Sequence, residues 1–62
     1  MKPGDKVEAN AFGGKKITRR LVQVNENIAV ICTDEEWQAA SREMREPDGV
    51  GFPLRDVKLL SA

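Results

Sequence analysis

Along this chain the hydrophobic pattern runs in period two, changes to helical spacing, and returns to period two. Lys6-Val7-Glu8-Ala9-Asn10-Ala11 alternates polar and apolar as a half-buried strand does, with Val7, Ala9 and Ala11 facing one way. Gly13-Gly14-Lys15 breaks the run and predicts a loop whose backbone needs positive φ. A second strand is expected from Lys16 to Val24, with Ile17, Arg19 and Leu21 on one face and Thr18, Arg20, Val22 and Val24 on the other. Asn25-Glu26-Asn27 reads as a tight turn, because asparagine tolerates the left-handed region. Ile28 to Thr33 is apolar on both faces and predicts a central strand paired with the one before it.

At Thr33 the period changes. Thr33-Asp34-Glu35-Glu36 has the form of a capping box: the threonine hydroxyl accepts from the Glu36 amide, and the glutamate reaches back to the amide of Thr33. Cys32 and Trp37 are placed to form a hydrophobic staple across it. Trp37, Ala40 and Met44 form a narrow apolar stripe, and Arg42 and Arg45 fall where the helix dipole favours cations. Pro47 stops the run, so a helix is expected from about Asp34 to Arg45. Pro47-Asp48-Gly49 reads as a turn, followed by a strand with Val50, Phe52 and Leu54 inward and Pro53 at an edge, bend or end. Arg55-Asp56 makes a short turn, and Val57-Lys58-Leu59 is the last strand.

The expected fold is mainly β: one domain over residues 1–62, five short strands bent into a small barrel, and one short α-helix between strands 3 and 4. In this pattern the chain resembles the SH3-like barrel superfold, through Gly4-Asp5-Lys6-Val7, the Gly13-Gly14 loop, the central hairpin, and Val50-Gly51-Phe52-Pro53-Leu54 with Val57 after it. That superfold hosts ribosome-associated modules, peptide binders, redox-complex subunits and one enzyme class, so the resemblance implies no single function.

Length sharpens this reading. A chain of 62 residues buries roughly 60% of the surface it exposes when unfolded, so its stability margin is thin. One cysteine, Cys32, makes no internal disulfide, and there is no histidine to share a metal with it. Self-association remains as a means of support. No apolar run approaches a membrane span or a secretory signal, and the lone thiol suits a reducing cytoplasm, so a cytoplasmic location is expected.

The absence of histidine excludes histidine-based acid–base catalysis and the usual nucleophilic triads. Cys32 lies in the most apolar strand, where a thiol is inert. Asp34, Glu35 and Glu36 are accounted for by the helix start, and Gly13-Gly14-Lys15 lacks the strand, Gly-Lys-Ser/Thr and helix of a phosphate loop. No catalytic residue, metal ligand or cofactor is expected. Val50-Gly51-Phe52-Pro53 is placed like the pore-lining Val-Gln-Ile-Tyr-Pro of plasmid-type dihydrofolate reductases, which are similar in size and fold. It has glycine for glutamine, phenylalanine for isoleucine and no tyrosine, so the enzymatic reading ranks last.

Charge adds one candidate surface. Ten basic residues balance ten acidic ones, yet residues 1–33 carry six bases against three acids and residues 34–62 carry four against seven. Lys15, Lys16, Arg19 and Arg20 concentrate the positive charge, and a bulge or sheet edge decides whether they share a face. Together with Phe12, which either contacts a partner or caps an open barrel end, they are the candidate binding residues. A solvated basic strand that guards an edge is the plainer account of the four cations. The expected function is a non-catalytic protein-interaction or self-assembling module, with a protein partner or a like subunit. The alternative is a nucleic-acid-binding or ribosome-associated module.

Overall fold

The computed structural model describes residues 1–60. Its elements follow the hydrophobic pattern: β1 (Lys6–Asn10), a 3-10 turn (Phe12–Gly14), β2 (Lys16–Asn25), β3 (Ile28–Cys32), α1 (Asp34–Glu43), β4 (Val50–Pro53), a second 3-10 turn (Leu54–Asp56) and β5 (Val57–Leu59). The strands form one antiparallel sheet in the order β4-β3-β2-β1-β5. Period-two alternation in β1 buries Val7 and Ala9 completely, and both glycines of the first loop have positive φ, 72° at Gly13 and 76° at Gly14.

β2 carries the bulge that its mixed faces suggest. Pairing with β3 runs Leu21↔Ile31 and then Gln23↔Val30, so Val22 is the extra residue. The slip reverses the phase of the strand. Val24 therefore lies opposite buried Ala29 on the core face, not with Thr18 and Arg20 as plain alternation predicts. In the turn beyond it, Glu26 rather than an asparagine takes the left-handed conformation, with φ of 50°.

Val7, Ala9, Leu21, Ala29, Ile31 and Val57 make one core cluster on a single face, with Ile17, Phe52 and Leu54 packed against it. These residues come from four strands. Only a sheet curled about its own apolar face brings β3 and β5, which have two strands between them in the sheet, into one cluster. The curl stops short of the expected barrel: among the described residues no hydrogen-bonded ladder joins the edge strands β4 and β5. Both edges are short, and Pro53 at the end of β4 has no N–H to offer.

The helix begins at its threonine cap and ends sooner than the stripe suggests. Thr33 Oγ1 accepts from the Glu36 amide at 3.0 Å. The reciprocal half of the capping box does not form, because the Glu36 carboxylate accepts from the Arg45 guanidinium and the Asp48 amide instead. A charged donor outcompetes a neutral one. Met44 adopts the left-handed conformation at φ 55° and caps the helix, so its side chain leaves the apolar stripe and is fully exposed. Arg45 lies beyond the last turn. The strap that follows crosses β3 closely at Gly49, where a β-carbon would come within 2.6 Å of Val30 Cγ1 and 2.9 Å of the Ile31 carbonyl oxygen.

Candidate functional site

Strand alternation separates the four adjacent cations. Arg19 stands opposite Val7 on the core face of the sheet, whereas Lys16 and Arg20 stand opposite Asn10 and Lys6 on the outer face. Lys15 is exposed at the end of the loop. The four do not form one patch.

Each cation has its own surroundings. Arg20 is a structural clasp: its Nε donates to Asp34 Oδ1 at 2.7 Å and its Nη1 donates to the Gly4 carbonyl at 2.8 Å, tying the helix start to the chain entering β1. This bond holds the Asp34 carboxyl below its usual range. Lys16 lies 3.8 Å from Glu8 with most of its side chain in water, a weak pair. Half-buried Arg19 donates only to the carbonyl of its neighbour Thr18, at 2.8 Å, and has no carboxylate partner among the described residues.

Phe12 is fully exposed at the tip of the β1–β2 loop. It caps no end of the sheet.

Two surfaces result. The first is a groove of about 370 Å³ on the core side, between the opening half of β2 and the β3–β4 pair. Ile17, Arg19, Ile31, Val50 and Phe52 line it, with Glu36 and Asp48 at the helix end. Val50, expected inward, does face the core side, opposite Ile31, but is 64% exposed because among the described residues no strand lies beyond β4. Glu36 is already engaged there: its bonds with Arg45, and then with the Asp48 amide, hold its carboxyl below the usual range.

The second surface is the outer face of β5, β1 and β2. Pairing Lys6↔Arg20, Asn10↔Lys16 and Glu8↔Lys58 adds Lys6 and Lys58 to Lys16 and Arg20 on one face. Sequence reasoning missed Lys6 because its place beside Arg20 depends on the register of β1 against β2, and Lys58 because no local signal tells which strand β5 will join. At the helix end of this face Cys32, opposite Arg20, is 5% exposed, and burial followed by the Glu36 charge pushes its thiol up, away from reactivity.

Among the described residues no group of three histidine, cysteine or acidic side chains is placed to hold a metal ion, and no helix is long and apolar enough to cross a membrane. No protein family, curated protein or solved structure matches the chain.

Proposed function

We propose that this chain is a non-catalytic protein-interaction module on the plan of an SH3-like barrel, and that it docks its partner in the groove beside β4. The observation that carries the reading is the 64% exposure of Val50 on the same face as the core. A valine pointing toward the core side of a sheet is ordinarily covered by a neighbouring element, and an apolar floor continuous with the core offers a partner a ready surface. The floor extends through Phe52 and Ile17, both half-buried, and Arg19 at its side retains free donors for a polar contact. The edge of β4 presents main-chain groups to an added strand, the geometry of strand addition. The barrel plan rests on the single core cluster drawn from β1, β2, β3 and β5, and on the 3-10 turn that links β4 to β5.

The test is site-specific photocrosslinking in cells that make the full chain, with a photoreactive residue at Val50 and a control at exposed Gln38. A discrete adduct at position 50 and none at 38 is the expected result. An adduct of twice the chain's mass identifies the partner as a second copy, and any other mass identifies a different protein. No adduct at position 50 overturns the proposal.

A further inference from the structure

The outer face of β5, β1 and β2 lies on the opposite side of the sheet from the groove, and its chemistry is different. Four cations, Lys6, Lys16, Arg20 and Lys58, share it with one strand acid, Glu8, while Asp5 and Asp34 border it beside Lys6 and Arg20. The ion pairs engage only part of this charge: Arg20 is closed onto Asp34, but the Lys16–Glu8 pair is long and solvated, and Lys6 and Lys58 make no ion pair among the described residues. Cross-strand neighbours lie about 5 Å apart and same-face neighbours along a strand about 7 Å apart, so the charges form a surface rather than isolated points. At the margin of this face the β1–β2 loop holds Phe12 fully in water, followed by Gly13, Gly14 and the exposed Lys15. A β-carbon on either glycine would meet nothing within 4 Å, so a flat ring has open room to approach Phe12.

We infer that this face, with Phe12 at its margin, binds single-stranded nucleic acid. The lysines neutralise backbone phosphates and Phe12 stacks on one base. The two features together select this occupant. Cations alone suit any polyanion, but a bare aromatic beside them matches a ligand that alternates charge with exposed π-faces, and every base supplies one. Binding of this kind is sequence-tolerant and salt-dependent, because its affinity comes from counterion release and stacking. The inference is independent of the groove, so either can fail without the other.

The test is fluorescence anisotropy of a fluorescein-labelled short oligothymidylate with the full chain, titrated from low to moderate salt. Three or four neutralised phosphates on a single strand predict a slope of log K against log salt of about −2 to −3. Lys58→Gln and Lys6→Gln should each make that slope shallower by about 0.7. Phe12→Ser should weaken binding by about tenfold with the slope unchanged, since stacking releases no counterions. All three positions are exposed, with Lys6 and Lys58 on the face opposite the core cluster, and an unchanged urea midpoint confirms that each variant is folded. Absence of binding at low salt overturns the inference, as does binding indifferent to both Phe12→Ser and Lys58→Gln. Tighter binding to anionic phosphatidylglycerol vesicles than to the oligonucleotide also overturns it, in favour of a lipid surface.

Discussion

The ring of Trp37 packs on the α-carbon of Gly4: a β-carbon built there would lie 3.2 Å from Cζ2 of the indole. Gly4 also has φ of +95°, a conformation L side chains rarely adopt, and its amide and carbonyl are both engaged, by the Leu21 carbonyl at 2.8 Å and by Arg20. One glycine thus fixes where the entering chain, the helix and the central strand meet. Gly4→Ala is expected to destabilise the fold by about 1–3 kcal/mol through backbone strain and the close approach. Urea denaturation checks this. In a Trp37→Ala background the same substitution should cost less, because only the strain remains; strictly additive effects would exclude the contact.

Loss of the helix cap has a defined cost. Thr33→Ala removes the acceptor for the Glu36 amide and should lower stability by about 1 kcal/mol, whereas Thr33→Ser or Thr33→Asp should retain most of it. The shift in urea midpoint at constant slope is the measurement.

Leu21 is a large core side chain with no exposure, on β2 just before the bulge. Leu21→Ala should cost about 2–5 kcal/mol, enough to unfold much of a domain this small at ordinary temperature. Circular dichroism during thermal melting should show a broadened transition at a markedly lower midpoint.

Acid should loosen the ends of the helix. Asp34 and Glu36 are both held below their usual carboxylate values in the folded chain, Asp34 chiefly by Arg20 and Glu36 chiefly by Arg45. Their folded-state values lie below the unfolded ones, so each contributes stability above roughly pH 5 and loses it as pH falls through the depressed range. The melting temperature should be flat near neutral pH and fall on acidification, and less steeply with added salt. Glu36→Gln should be less stable at neutral pH but flatter on the acid side. A variant as acid-sensitive as the parent would remove Glu36 from the account.

Cys32, with its thiol raised by burial, should react with a disulfide reagent only as fast as the domain opens. Reaction in native buffer at the rate seen in urea would place the thiol at the surface.

How much of this was legible in the residues follows from the range of the forces concerned. Short-range rules placed every strand within about a residue, because Val7 and Ala9 in β1 and the Thr33 cap depend only on neighbours in sequence. The helical pattern continues through Met44, but the backbone turns left-handed there and takes its side chain off the stripe. Val24 changed faces because one extra residue in β2 reverses all later alternation. The basic run between Lys15 and Arg20 was visible as composition, but its division between two faces required the register of β1 against β2.

By itself, then, the sequence of this protein determined the order and type of its elements, the glycine loop, the helix start, and the lack of histidine chemistry, all of which rest on local backbone preferences and on side chains present or absent. Tertiary structure alone decided that the sheet stays open beside Val50 and that Lys6 and Lys58 join Lys16 and Arg20 on one face. Those outcomes depend on which distant strands pair. Strand pairing is chosen by burial of the whole apolar face at once, and no short stretch of the chain encodes it.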